Sequence, residues 1–311
     1  MLPFMALRTV SLVSLFGLVL TAETPRPLVL WHGLGDSAIS EGMLEFAAEI
    51  TTVHPGIFIH SVYIEEDIDK DRQAGFYGNV NEQVQLVSEQ IAAISELEGG
   101  FDAIGFSQGG QFLRAYVERY NSPPVHNLIT FGSQHMGIDD IPVCKPRDFL
   151  CQIARRATKA GVYGSWAQEN LVQAQYFRDP ANLAAYYSSN TFLTSINNEI
   201  AETRNETYAS NLASLNKLVL IIFTEDKTVV PKESSWFGSE VVGDDQLAYG
   251  PQRVLAPGRT LVSMREQPLY QEDWIGLREL DERGGVEFLV CEGAHMQIHD
   301  CWEDIVREFA G

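Results

Sequence analysis

Short apolar runs recur along the chain and predict the strands of a buried sheet. Each run is continuous rather than alternating and is rich in valine, leucine and isoleucine. The six runs are LVLWHG (28–33), IFIHSVYI (57–64), FDAIGF (101–106), LITFGS (128–133), LVLIIFTED (218–226) and VEFLVCEG (286–293). Continuous runs of this kind are typical of strands buried on both faces of a parallel sheet.

Helical periodicity separates several of these runs. Before the third run, one apolar helix face is predicted by Val84, Val87, Ile91, Ile94 and Leu97. After the third run, the same spacing recurs at Phe112, Leu113, Tyr116, Val117 and Tyr120. Alternation of strand and helix predicts an α/β protein, with a mostly parallel sheet and helices on both of its faces.

The stretch from about 134 to 216 breaks this rhythm. It contains helix-like pieces such as SWAQENLVQAQYF and PANLAAYYSS, and no strand-like run. A connection of this length is unusual unless it has a role of its own. We therefore expect a mostly helical insertion that caps the sheet, within a single domain spanning 23–311.

The N-terminus has the pattern of a secretory signal peptide. Arg8 precedes an apolar run from Val10 to Leu20, and Leu20-Thr21-Ala22 resembles a cleavage site. The apolar run is too short to cross a bilayer, which needs roughly 20 residues. We predict that residues 1–22 are removed, and that the destination is the lysosome, the vacuole or the extracellular space.

Entry into the secretory pathway makes the cysteines candidates for disulfides. We expect the local pairs Cys144 with Cys151 and Cys291 with Cys301, although four cysteines allow three pairings. The chain has no C-x-x-C spacing that would favour a metal site. An N-E-T sequon predicts a glycan at Asn205, on an exposed loop.

The formal net charge of −20 argues against nucleic acids and anionic membranes as partners. A solvated acidic surface is the simpler interpretation of this charge. In an acidic compartment, part of the charge would be neutralised and the repulsion within the molecule relieved.

The segment from Gly105 to Gly109 fits the pattern G-x-S-x-G, with a predicted strand before it and a predicted helix after it. Glycines allow a sharp strand-to-helix turn, which places Ser107 above the edge of the sheet. The helix N-terminus favours negative charge developing there. This context predicts a nucleophile of the α/β-hydrolase type, and the alternative is a tight turn with a capping serine.

A nucleophilic serine needs a base, and in this fold the chain order is serine, acid, histidine. Asp226 and His295 each follow a predicted strand, at the sheet edge where α/β proteins place their sites. We predict that Asp226 is the acid and His295 the base. Glu225 should point to the other side of an extended segment. His299 remains an alternative base, although it lies where a final helix begins.

Other histidines and one loop lie close to the predicted site. His32 and His135 follow the first and fourth strands and could line the pocket, although hydrogen-bonded structural roles are commoner. An oxyanion hole should use the amide of Gln108, directly after the serine. The loop HGLGDS offers Leu34 as the second donor, and its alternative interpretation is a plain tight turn.

Six motifs, taken together, resemble the palmitoyl-protein thioesterases. The motifs are LVLWHGLGDS, GFSQGGQFLRAY, NLITFGSQHMG, LVQAQYFRDP, SSWFG and CEGAHMQI. The resemblance runs from about Leu28 to Gly311. It implies hydrolysis of fatty acyl thioesters on the cysteines of S-acylated proteins, without a metal or organic cofactor and without stable membrane insertion.

The resemblance also assigns roles residue by residue. It implies a Ser107, Asp226 and His295 triad, with the amides of Leu34 and Gln108 forming the oxyanion hole. It further implies that the insertion at 134–216 helps to form an apolar acyl groove, and that Cys144 and Cys151 match a short bridge of the family.

Departures from the family pattern occur near the predicted site. Ala38-Ile39 replaces a vicinal cysteine pair that vertebrate members carry, so that bridge is absent. Val230 and Ala294 occupy positions where vertebrate members have acidic residues. The loss of these two acids removes rivals to Asp226 and alters the electrostatics around the base.

Three rival functions share parts of this evidence. An esterase or lipase would use the same triad on oxygen esters, and a long-chain acyl-CoA thioesterase would use it on a polyanionic substrate. The net charge of −20 disfavours CoA. A non-catalytic lipid-binding protein would not need the intact Ser107, Asp226 and His295.

Overall fold

The computed structural model describes residues 24–140, 161–242, 253–256, 259–299 and 301–311. Its strands are β1 Leu28–Trp31, β2 Ile59–Ser61, β3 Phe101–Phe106, β4 Val125–Phe131, β5 Lys217–Phe223, β6 Ser239–Val242, β7 Arg253–Ala256, β8 Arg259–Val262 and β9 Val286–Cys291. Its α-helices are α1 Glu41–Val53, α2 Ile68–Ala74, α3 Val80–Ala92, α4 Gln108–Arg119, α5 Ser165–Asn170, α6 Leu183–Ser189, α7 Leu193–Ile196, α8 Glu206–Ala213, α9 Pro268–Gln271, α10 Leu277–Glu282 and α11 Trp302–Phe309.

The main sheet has six strands in the order β2-β1-β3-β4-β5-β9, and every neighbouring pair is parallel. All six strands fall within the six apolar runs or overlap them. The predicted α/β class with a mostly parallel sheet is therefore confirmed. The carboxyl ends of these strands form the edge on which the predicted site residues lie.

Burial on both faces explains why the runs of the inner strands are continuous. Val29 and Trp31 of β1 join one hydrophobic cluster, whereas Leu28 and Leu30 join the other. Alternate side chains of a strand point to opposite faces, so both sets must be apolar. Helices α3 and α4 cover the first face, and helices α1 and α11 cover the second.

Two details differ from the sequence pattern. Helix α3 ends at Ala92, and Leu97 lies in a separate 3₁₀ turn, Ser95–Leu97, that follows it. A small antiparallel sheet in the order β6-β8-β7 was not predicted at all. Its strands have four residues each, too few for an alternating pattern to stand out.

The described part of the insertion is helical, as its composition indicated. Helices α5 to α8 lie between β4 and β5, and no strand of the main sheet lies between 161 and 216. Two predictions lie outside the described residues, namely the signal peptide of 1–22 and the bridge between Cys144 and Cys151. The single-domain organisation also stays a prediction.

Within the described ranges, no helix is both long and apolar enough to cross a membrane.

Candidate active site

Ser107 lies at the sharp turn between β3 and α4. Its backbone has φ 52° and ψ −122°, a conformation that residues with side chains seldom adopt. The turn is held because the Ser107 amide donates a 2.8 Å hydrogen bond to the Phe131 carbonyl of β4. The serine therefore lies at the N-terminus of α4, where backbone amides favour negative charge.

The glycines of the G-x-S-x-G motif are required by close backbone packing. A Cβ atom on Gly105 would lie 2.2 Å from the Gly110 Cα atom. A Cβ atom on Gly109 would lie 2.4 Å from the Trp31 carbonyl oxygen, because α4 begins against the end of β1. Both glycines therefore allow the helix to start close enough to the sheet to present Ser107 above its edge.

Ser107, His295 and Asp226 form a hydrogen-bonded chain. The Nε2 atom of His295 lies 3.1 Å from the Ser107 Oγ atom, and its Nδ1 atom lies 2.6 Å from Asp226 Oδ2. The other Asp226 oxygen accepts hydrogen bonds from the amides of Thr228, at 2.8 Å, and Val229, at 3.0 Å. A carboxylate fixed in this way favours a proton on Nδ1, which leaves Nε2 free to accept the serine proton.

The alternative acid and base lie elsewhere. Glu225 is exposed, whereas the side chain of its neighbour Asp226 is fully buried against His295. His299 is exposed and lines the same cavity as Ser107, but the hydrogen bond to the Ser107 hydroxyl comes from His295.

His135 is fully buried and interacts with Thr130 and Phe237. Burial lowers the pKa of His135 well below its usual value, and the nearby Arg114 adds to this effect. A neutral, hydrogen-bonded structural role for His135 therefore fits its position.

A disulfide links Cys291, the last residue of β9, to Cys301, the residue before α11. This is the local pairing that the sequence favoured. His295 lies inside the closed loop, and its ring packs edge-on against Phe223, with 5.9 Å between the ring centroids. The bond therefore restrains the segment that presents the imidazole to Ser107.

The predicted oxyanion donors, Leu34 and Gln108, lie beside the serine. Within the described residues, neither backbone amide donates a hydrogen bond to a protein acceptor. The side chain of Gln108 is fixed from two sides, donating to the Gly75 carbonyl at 3.2 Å and accepting from the Tyr176 hydroxyl at 3.1 Å. Gln173 donates to the same Gly75 carbonyl at 2.8 Å.

The supporting residues Gly75, Gln173 and Tyr176 were not found from the sequence. Gly75, directly after α2, and Tyr176, from the insertion, hold the Gln108 side chain, and Gln173 donates to Gly75. No single motif links such distant positions. The two glutamines of LVQAQYF, Gln173 and Gln175, were a visible signal, because they stand among apolar residues.

A cavity of about 430 Å³ opens beside Ser107 and His295. Its apolar lining comes from Met43, Phe46, Phe106, Ile298 and Trp302, among others. Three carboxylates, Asp36, Glu45 and Glu49, also line this cavity, and its described lining contains neither lysine nor arginine. The described part of the insertion does not line it, so a contribution of 134–216 to an acyl groove stays a prediction.

A parallel sheet with a serine at the turn from β3 to α4, hydrogen-bonded to a histidine and an aspartate from later strand ends, is the architecture of an α/β-hydrolase. The chain matches the family described as Palmitoyl protein thioesterase over residues 27–295. It belongs to this family, as the six motifs predicted.

Named relatives cover most of the chain. It is 41% identical over 277 residues to Palmitoyl-protein thioesterase 1 of Caenorhabditis elegans, covering 88% of this chain and 87% of the relative. It is 31% identical over 286 residues to Palmitoyl-protein thioesterase 3 of Dictyostelium discoideum, covering 92% and 90%. It is 26% identical over 292 residues to the Lysosomal thioesterase PPT2 homolog of Drosophila melanogaster, covering 91% and 90%.

Proposed function

We propose that this chain is a thioesterase that removes long-chain fatty acyl groups, such as palmitoyl, from the cysteines of S-acylated proteins. The observation that carries the proposal is the hydrogen-bonded order of Ser107, His295 and Asp226 in a member of this family. The order matches what nucleophilic acyl transfer needs, namely a nucleophile, a base in contact with it, and an acid that orients the base.

The proposed reaction has two halves. His295 takes the Ser107 proton as the hydroxyl oxygen attacks the thioester carbonyl, and the amides of Leu34 and Gln108 stabilise the resulting oxyanion. The carbon–sulfur bond then breaks, and the His295 imidazolium gives its proton to the sulfur, so that the cysteine leaves as a thiol. Water, deprotonated by His295, next attacks the carbonyl of the serine ester. The His295 imidazolium then returns this proton to the Ser107 oxygen as the ester bond breaks, which releases the fatty acid and restores the serine hydroxyl.

The lining of the cavity supports an acylated protein rather than acyl-CoA as substrate. CoA carries several phosphate charges, and Asp36, Glu45 and Glu49, which line the cavity, would repel them. An apolar acyl chain, by contrast, gains about 0.8 kcal/mol for each methylene group that it buries. Long acyl chains on a neutral or basic peptide are therefore the favoured substrates.

An acidic compartment such as the lysosome is the proposed location. The Drosophila relative is named as a lysosomal thioesterase. The formal charge of −20 would be partly neutralised at low pH, which fits a protein that works there.

The test compares three substrates with the purified mature chain: an S-palmitoyl cysteine peptide, its O-palmitoyl serine analogue and palmitoyl-CoA. We expect the S-acyl peptide to be cleaved with the highest kcat/KM, and Ser107→Ala to lose this activity by about 10⁶-fold. Preference for the oxygen ester would instead indicate an esterase. Absence of turnover, together with absence of labelling by a fluorophosphonate probe, would indicate a non-catalytic lipid-binding protein.

A further inference from the structure

A second histidine–carboxylate pair lies beside the candidate active site and has no part in the mechanism above. His32 directly follows β1, and Asp71 belongs to α2. The Nε2 atom of His32 lies 3.2 Å from Asp71 Oδ2, and the two side chains are only 3% and 2% exposed. The N–H direction is oblique to Asp71 Oδ2, and Nε2 has no other hydrogen-bond partner among the described residues.

The other nitrogen of His32 faces the backbone. Its Nδ1 atom lies 3.0 Å from the Gly33 carbonyl oxygen, which also accepts the Asp36 amide at 3.3 Å. Both ring nitrogens therefore lie close to oxygen acceptors, one on the backbone and one on Asp71. Burial alone would raise the pKa of Asp71, but His32 and the amides of Ala38 and Ile64 hold this pKa below its usual value.

The Gly33 carbonyl and the Leu34 amide belong to one peptide group. In a trans peptide the C=O and N–H bonds point in opposite directions. Because the Gly33 carbonyl points at the His32 ring, the Leu34 N–H points away from it. The loop also packs closely on the serine, since a Cβ atom on Gly33 would lie 3.3 Å from the Ser107 Cβ atom.

Asp71 holds both ends of the loop formed by residues 32–38. It contacts His32 at the start, and the Ala38 amide donates a 2.9 Å hydrogen bond to its Oδ2 atom at the far end. Its Oδ1 atom accepts the Ile64 amide at 2.8 Å, which ties the carboxylate to the segment after β2. A single buried side chain thus sets where the loop begins and where it ends.

We propose that His32 and Asp71 are positioning residues that hold the Gly33–Leu34 peptide in the orientation in which the Leu34 amide can bind the oxyanion. If that peptide turned over, the Gly33 carbonyl would replace the amide and repel the developing negative charge. This proposal rests on the proposed function, because it gives Leu34 a role in the same acyl transfer.

The test uses two variants that each preserve one half of the His32 interactions. In His32→Asn the amide nitrogen lies near the position of Nδ1 and can still donate to the Gly33 carbonyl. In His32→Gln it lies near the position of Nε2 and can still donate to Asp71. We expect His32→Gln to lose about 10²-fold in kcat with little change in KM, and His32→Asn to retain at least tenfold more activity than His32→Gln.

A second readout follows the oxyanion directly. A long-chain trifluoromethyl ketone forms a tetrahedral oxyanion with the serine, so its inhibition constant should rise by the same factor as kcat falls. Asp102→Asn is the matched control, because Asp102 is also buried and accepts the Asn127 and Gly311 amides, but at the start of β3. This control should lower the unfolding temperature and leave kcat unchanged.

Each outcome decides the proposal. If kcat and inhibitor affinity per folded molecule are equal in wild type and in both His32 variants, the pair has only a structural role. The same conclusion follows if His32→Gln is more active than His32→Asn. If the wild type fails to cleave the thioester but reacts with a fluorophosphonate, the proposed substrate is wrong. The same variants then test the positioning role through their phosphonylation rates, which also depend on the oxyanion donors.

Discussion

Asp226 uses both carboxylate oxygens, one on the His295 ring and the other on the amides of Thr228 and Val229. Replacement by asparagine keeps the shape but offers an N–H₂ group to the ring, which favours the wrong tautomer. We expect Asp226→Asn to lower kcat by about 10⁴-fold, measured with the S-palmitoyl peptide. The matched control is Glu225→Gln, whose exposed carboxylate lies outside the triad. An equal loss in the control would contradict the assignment.

Gly109 faces the backbone of β1 and its following loop. A Cβ atom there would lie 2.4 Å from the Trp31 oxygen and 2.5 Å from the His32 oxygen, and neither backbone atom can move freely. We expect Gly109→Ala to lower the unfolding temperature by several degrees and to lower kcat, measured by thermal denaturation and by turnover. Gly99→Ala has open space around the added atom and should behave like wild type.

Some residues of the candidate site could be predicted from the sequence and others could not. Ser107, Asp226 and His295 could be predicted because each follows a strand-like run at the same sheet edge. Asp71 and Tyr176 could not, because they act across space on the segments around Ser107. Tyr176 belongs to the motif LVQAQYFRDP, but that motif does not show which residue it contacts. Burial of a polar side chain becomes visible only when the elements that surround it are in place.

At the scale of elements, the disulfide-closed loop between β9 and α11 affects both the stability of the fold and the position of His295 in the site. A disulfide with a sequence separation of 10 restrains the unfolded chain and stabilises the fold by about 3 kcal/mol. The double variant Cys291→Ser/Cys301→Ser should therefore unfold at lower temperature and lose kcat more than it raises KM, because His295 is less well held. An unchanged kcat at a lower unfolding temperature would show that the disulfide stabilises the fold but does not contribute to catalysis.

The elements that the sequence predicted share a physical property. The inner strands β1, β3, β4 and β5 are buried on both faces, so their side chains are apolar at nearly every position. The edge strands β2 and β9 are only partly buried, yet their runs are also rich in apolar residues. Helix α3 was predicted too long because Leu97 is apolar and buried in a 3₁₀ turn at nearly helical spacing. Strands β6 to β8 were missed because each has only four residues, too few for an alternating pattern to stand out.

At the scale of the whole molecule, buried carboxyl groups make the free energy of unfolding depend on pH. Burial raises the pKa of Glu118 to about 7, although Arg114 opposes this effect. Burial and the neighbouring Glu240 raise the pKa of Asp139 to about 7 as well. The usual values are 4.5 and 3.8 respectively, so the folded state binds these protons more tightly than the unfolded state. The free energy of unfolding therefore falls as the pH rises from about 4 to 7.

Other carboxyls limit this trend at the acidic end. The pKa of Asp71 is lowered, and so is that of Asp281, chiefly by its hydrogen bond from Arg265. Their contribution to stability is lost as the pH falls below about 4. The free energy of unfolding should therefore be greatest on the acidic side of neutrality. This optimum lies above the pH range in which Asp71 and Asp281 lose their contribution and below the range in which Glu118 and Asp139 lose theirs.

Thermal unfolding measured at pH 5 and pH 7.5 checks the direction in which stability changes with pH. We expect the wild type to unfold a few degrees higher at pH 5. In Glu118→Gln the difference should shrink, because the titrating group is gone, while Glu89→Gln, an exposed replacement on α3, should keep the full difference. A wild type that is more stable at pH 7.5 would contradict the directions of the two raised pKa values.

The loop closed by Cys291 and Cys301 has a consequence for biogenesis. A newly made chain can fold its sheet and place Ser107 on its turn before these thiols are oxidised, because the bond joins only the last strand and the last helix. We expect the His295 imidazole to be less well held until the disulfide has formed. Specific activity per mole of polypeptide, compared with the content of alkylatable thiols, should therefore report maturation. A hydrolase built in this way would reach its full reactivity only after this disulfide has formed.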